Sequence, residues 1–292
     1  MRKKKKIIRK TKNKRVTRLA IFLFVLLVVF SFAFGVILGA KKGIAQVGEA
    51  PTKRVMQSRM LDVQPVLPTS NIHVPILVYH YVEFVKDPKD STRRSLDIIP
   101  PIFEMQLKTL KEAGYNFITA SELGQYLDGK KQLPQRPVIL TFDDGYQDFY
   151  TDVFPLLKKY NVAATQYVIS GVLDTPNYMT TEQVREVAQS GLVEIGAHTV
   201  HHKNLPSLSL EEARVEIEKS REELEKIFEM NIVSFAYPYG GFNDKLAELV
   251  KKAGFTSAVT TKGGTIVNQE NRYTLFRIHP GIAVGESLLR EL

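Results

Sequence analysis

The chain has no cysteine. That excludes disulfide bonds, thiolate metal sites, a cysteine nucleophile and attachment through a lipid-modified cysteine. The first 18 residues lack Asp and Glu yet hold 11 of the 40 Lys and Arg. Beyond them stand 29 basic and 31 acidic residues, so the formal net charge of +9 describes a tail and not a nucleic-acid-binding domain. Residues 19–40 carry no charge at all. At about 1.5 Å per residue such a helix spans roughly 33 Å, enough for a bilayer core of about 30 Å. A cleaved leader has a shorter apolar region and a small-residue cleavage site, and neither is evident. No internal repeat is visible.

These absences predict four regions: a basic cytoplasmic tail (1–18), an uncleaved transmembrane helix (19–40), a stalk (41–71) and one domain (72–292). The basic excess before the apolar run places the N-terminus in the cytoplasm and the domain outside the membrane. The stalk lacks periodicity, contains Pro51, Pro65 and Pro68, and allows at most a short helix around 54–61.

From Ile72 the pattern alternates strand and helix. Strands are expected at 75–79, 116–118, 138–142, 163–169, 193–197, 233–236, 257–260 and 275–278. Thr119 with Glu122, Thr180 with Gln183 and Ser209 with Glu212 are capping boxes, and Asn243 is a further N-cap. Helices are also expected at 101–113 and over 146–160, at least from Pro155 onward. The fold class is α/β. A (β/α) barrel, distorted and seven-stranded, is favoured over a doubly wound sheet because polar residues recur just after many different strands.

Two stretches carry chemistry. Residues 137–145, PVILTFDDG, read as a buried strand that ends in two carboxylates. Adjacent strand residues point to opposite sides, which suggests that one of Asp143 and Asp144 holds a metal while the other handles a proton. The same Asp-Gly pair is also an ordinary turn former. Residues 198–202, HTVHH, follow another strand and contain three of the six histidines. If that segment turns helically, His198 and His202 share a face and converge on one ion, whereas His201 points elsewhere. Such a pair also occurs on solvated loops. Two histidines and one aspartate would leave coordination positions open for water and substrate.

TFDDG at 141–145, HTVHH at 198–202, FAYPYG at 235–240 and PILVYHYV at 75–82 together resemble the NodB-type polysaccharide deacetylases, carbohydrate esterase family four. The branch most resembled contains biofilm poly-β-1,6-N-acetylglucosamine deacetylases and related cell-wall enzymes. The resemblance implies that Asp144, His198 and His202 bind a divalent metal, zinc by the donor set, with cobalt, nickel or iron also fitting. It implies Asp143 as general base and the backbone N–H of Tyr239 as an oxyanion donor. The general acid is His80 or His279, with His80 preferred because Arg277 resembles the arginine of that branch's terminal strand. Many members carry an arginine where Ala236 stands, so Asp143 needs another partner, for which Arg277 is the candidate. Tyr79, Tyr81, Tyr146 and Tyr239 are either sugar-stacking faces or packed side chains. The implied activity is removal of acetate from N-acetylglucosamine in a cell-surface polysaccharide: peptidoglycan, exopolysaccharide or a wall-polysaccharide linkage unit. An O-acetyl esterase and a non-catalytic wall-polymer-binding module are the alternatives. The implied partners are that polysaccharide and the membrane, with no nucleic acid.

Overall fold

A computed structural model describes residues 67–292 apart from 69 and 88. The expected tail, the membrane span, the short helix around 54–61 and most of the stalk lie outside the described residues. Among the described residues no helix is long and apolar enough to cross a membrane.

The chain runs β1 (Ile72–His73), β2 (Ile76–Tyr79), β3 (Tyr81–Val82), helix Ser91–Leu96, β4 (Asp97–Ile98), helix Pro100–Glu112, β5 (Asn116–Phe117), helix Ala120–Leu127 and β6 (Pro137–Phe142). A π turn, Phe149–Val153, then leads into helix Phe154–Tyr160, followed by β7 (Ala164–Val168), helix Thr181–Gln189 and β8 (Val193–Ala197). Helix Leu210–Phe228, β9 (Ser234–Ala236), helix Asp244–Lys252, β10 (Ser257–Val259), β11 (Ile266–Val267) and helix Gly285–Leu289 complete it. All three expected capping boxes form, and Asn243 accepts the Leu246 N–H.

Seven strands build one sheet in the order β10-β9-β8-β7-β6-β2, with β5 also on β6, and every pairing is parallel. Both faces of such a sheet are covered, which is why β6 is apolar almost throughout. Val138, Leu140 and Phe142 enter the larger cluster beneath the helices, whereas Ile139 enters a smaller one with Ile76, Tyr167, Ala236 and Val259. Tyr79 packs against Phe103 and Phe142 with ring centroids 5.3 and 5.0 Å away. Its hydroxyl donates to Gln106, whose amide donates to the carbonyls of Gly281 and Ala283. The end of the domain is thereby tied to its first long strand, and Tyr79 has no face for a sugar.

Residues 275–278 do not form the expected last strand. Leu275 bridges Val259 and Ile278 bridges Leu77, so the segment touches both edges of the sheet. Its N–H groups at 275, 277 and 278 donate to Ala258, Lys262 and Ile76 respectively. Successive residues answer to different neighbours, and no continuous ladder results.

Candidate active site

The period of two along each strand decides what faces the smaller, inner cluster. On β6 that parity is Ile139, Thr141 and then Asp143; on β2 it is Ile76, Val78 and then His80; on β8 it is Glu194, Gly196 and then His198. Each chemical residue is therefore the next inward position beyond the C-terminal end of its strand, where α/β folds gather their chemistry.

Asp144 reaches the same place by another route. Its φ is 74°, a left-handed conformation, and Gly145 follows at 85°. The two carboxylates are divided by this turn and not by continued strand alternation. The expected helical turn at 198–202 is likewise absent, and Thr199 and His202 are left-handed with φ of 64° and 54°. The Thr199 hydroxyl accepts the His202 N–H at 3.0 Å and closes the turn.

The result is a convergent trio. Nε2 of His198 lies 3.4 Å and Nε2 of His202 3.2 Å from the same oxygen, Oδ1 of Asp144. That oxygen is buried and has no hydrogen-bond partner. The three ligand atoms lie within 4.8 Å of one another, the one such group among the described residues. The Nδ1 of His198 sits 2.7 Å from the Ala236 carbonyl, which fixes the ring so that Nε2 presents its lone pair to the site. Burial above all pushes His202 down to about 4, so its imidazole is neutral and ready to ligate. An orphaned buried carboxylate oxygen faced by two imidazole nitrogens fits a divalent cation.

Asp143 has a different setting. It is 2% exposed and faces the guanidinium of Arg277, itself 1% exposed. Nη1 donates to Oδ1 at 2.8 Å and Nη2 to Oδ2 at 2.7 Å, a bidentate pair. Nη1 also donates to Thr141 and Nε to the Thr260 carbonyl, so the guanidinium is fixed from three sides. Burial works against the Asp143 charge, yet Arg277 outweighs it and holds the carboxyl well below the usual range. Arg277, the candidate partner for Asp143, is the residue that it meets.

Nε2 of His80 lies 3.9 Å from Oδ2 of Asp143, and its Nδ1 is buried without a partner. The His279 ring is exposed, 6.5 Å from that of His80. Tyr239 is left-handed at φ 59° and 67% exposed, with its ring 4.6 Å from that of His202. Gly240 beside it must be glycine, because a Cβ would meet Thr261 Oγ1 at 2.1 Å. Tyr81 is buried, stacked on Tyr146 at 4.0 Å and covered by Arg93 at 4.5 Å, so of the four tyrosines Tyr239 presents the open ring.

Asp148 escaped the sequence reading. Asp148 is buried, and its Oδ2 accepts the Val82 N–H at 2.6 Å, anchoring the strand just after His80. The only signal available was a lone acid among Tyr146, Phe149 and Tyr150. Burial pushes Asp148 up to about 7. A carboxyl raised on folding stabilises the protein fully below its unfolded value and loses that contribution as pH rises through 7. Asp148→Asn keeps the acceptor without the charge. Between pH 4 and 8 the wild type should lose about 5 °C of melting temperature relative to Asp148→Asn, read by calorimetry.

A cavity of about 670 Å³ beside the N-terminal end of β6, lined by Lys111, Tyr115, Phe117 and Lys131, contains none of these groups.

A family described as polysaccharide deacetylase matches residues 130–258. YxkH, a Bacillus subtilis protein assigned to the polysaccharide deacetylases, is 32% identical over 212 residues, 72% of this chain and 73% of its own. The poly-beta-1,6-N-acetyl-D-glucosamine N-deacetylase of Staphylococcus aureus MRSA252 is 31% identical over 189 residues, and the match spans 60% of this chain and 65% of that enzyme. Among solved structures, the Streptococcus pyogenes deacetylase PplD, in complex with acetate, superposes with a TM-score of 0.70 at 31% identity, covering 76% of this chain and 99% of that one. IcaB from Ammonifex degensii gives 0.63 at 25% identity, covering 77% and 97%. With these motifs in this geometry, the chain belongs to the polysaccharide deacetylase family.

Proposed function

We propose that this protein removes acetate hydrolytically from N-acetylglucosamine units of a bacterial cell-surface polysaccharide, with Asp144, His198 and His202 holding a divalent metal, most simply zinc. The observation that carries the reading is the buried, unpartnered Oδ1 of Asp144 facing two imidazole nitrogens, with a second, arginine-paired carboxylate beside it. A cation held there would acidify a water molecule and polarise the acetyl carbonyl.

Asp143 takes the proton from the attacking water. Because Arg277 keeps it a weak base, Asp143 passes that proton on instead of retaining it. His80, 3.9 Å away and kept neutral chiefly by burial, is the acceptor positioned to deliver it to the departing amine. The Tyr239 backbone N–H supplies the oxyanion donor, and its exposed ring borders the sugar. The (β/α) barrel of residues 72–292 stands outside the cell on a stalk, held by the uncleaved helix 19–40.

Acetate release measured on N-acetylated and O-acetylated glycans tests the reaction. Release from the N-acetylated glycan, abolished by chelation and restored by zinc, is expected. Release from O-acetylated glycans alone would assign an esterase, and none from either would leave a binding module. Mass spectrometry of wall fractions from cells with and without the protein identifies the polymer by its loss of acetyl groups.

A further inference from the structure

The buried face of helix Leu210–Phe228 holds Ala213, Ile217, Ser220 and Leu224, and among them stands one carboxylate, Glu216, 4% exposed. A carboxylate on a buried helix face is costly unless something there requires it. What it meets is the turn that carries His198 and His202. Its Oε2 accepts two successive backbone N–H groups, Val200 at 3.1 Å and His201 at 2.9 Å. Its Oε1 lies 2.9 Å from His201 Nδ1 and 3.1 Å from Lys203 Nζ.

That turn needs a clamp. Left-handed backbone at two non-glycine residues, Thr199 and His202, is strained and persists only where the surroundings enforce it. From the opposite side, the N–H groups of Ser170 and Gly171 donate to the carbonyls of Thr199 and Val200 at 3.1 and 3.0 Å. Gly171 is close enough that a Cβ there would meet the Val200 oxygen at 2.5 Å. The turn is therefore gripped by its carbonyls on one side and by its amides, through Glu216, on the other. His201, the histidine pointing away from the trio, is part of this grip.

We infer that Glu216 is a positioning residue that holds the 199–202 turn in its left-handed form so that His198 and His202 present both nitrogens to one cation. It touches neither substrate nor metal. The inference rests on the metal reading above and adds a residue to it.

Length and charge can be separated. Glu216→Gln keeps the reach and one acceptor oxygen for the two backbone amides, whereas Glu216→Asp keeps the charge but withdraws it by one methylene. Zinc affinity of the full-length chain, measured by competition with a chromophoric chelator, should stay within about threefold for Glu216→Gln and weaken by about tenfold or more for Glu216→Asp. Ile217→Ala, on the same buried face, should lower the melting temperature and leave zinc affinity unchanged. Gly171→Ala, which presses on the turn from the other side, should weaken zinc as Glu216→Asp does, and it carries the test if Glu216→Asp does not fold. Wild-type affinity in both Glu216→Asp and Gly171→Ala, the reverse order of Asp and Gln, or an equal zinc loss in Ile217→Ala would overturn the inference while leaving the metal reading standing. A wild-type chain that binds no zinc would overturn both.

Discussion

Asp143→Asn is expected to lower acetate release by about 10³-fold while zinc affinity stays near wild type. The amide keeps the shape of the side chain but has no lone pair basic enough to take a proton from water. Its neighbour Asp144 is untouched, so the proposed cation site keeps its ligands. The two carboxylates differ in setting even though they are adjacent in the chain. Asp144 faces two imidazoles with an oxygen that has no hydrogen-bond partner, and Asp143 faces a guanidinium that occupies both of its oxygens. The contrast with Asp144→Asn checks the division: that change should weaken zinc binding along with activity. Equal loss of zinc in both variants would show that the two residues act as one ligand set and that the assigned base is wrong.

Arg277→Met should be the most damaging change outside the residues assigned to metal, base and acid. It deletes a guanidinium that satisfies both oxygens of a buried carboxylate and leaves that carboxylate without a countercharge. Breaking a buried pair from one side costs about 3–5 kcal/mol. Loss of orientation at Asp143 should cost a further factor of about 10² in rate. The sign of the pH effect follows from the pair. In the wild type Asp143 lies below its unfolded value, so it stabilises the fold above that value and loses the contribution only as pH falls toward strong acid. Without Arg277, burial is opposed only by the weaker pull of His198 and His80, so the carboxyl rises. The acid limb of the kcat/KM profile then moves toward neutrality, and the stability contribution at neutral pH shrinks. Urea unfolding at several pH values and a rate profile check both, and unchanged activity in Arg277→Met would remove Arg277 from the proposal.

Much of the scaffold was legible because it rests on local physics. The apolar run 138–142 bounded by Pro137 and Gly145 reads as a buried strand, and that is what forms. The capping boxes at Thr119, Thr180 and Ser209 each satisfy N–H groups within one turn, so three residues suffice to specify a helix start. The inward parity that carries His80, Asp143 and His198 was also present in the sequence, because side-chain direction along a strand depends only on counting by two.

Other features were not legible, and for a shared reason. The left-handed backbone at Thr199 and His202 is held in part by neighbours distant in sequence, so helical spacing did not describe that turn, whereas the turn at Asp144 and Gly145 was already one reading of that pair. The last segment looked like a strand by composition but divides its hydrogen bonds between different neighbours. Asp148 and Glu216 gave almost no signal, since an acid in a helix or turn is ordinarily solvated.

The sequence by itself determined the apolar span, most of the long strands and helices of the main sheet, and the two motifs whose residue types suit metal-assisted hydrolysis. Tertiary structure decided which charges meet: Arg277 with Asp143 across 134 positions, His80 with Asp143, and Glu216 with the turn at 199–202. Propensity, capping and periodicity act over a few residues, so a linear reading contains them. The partner of a buried charge is set by which segments become neighbours when the two edges of the sheet are brought together, and that exists only in the folded chain.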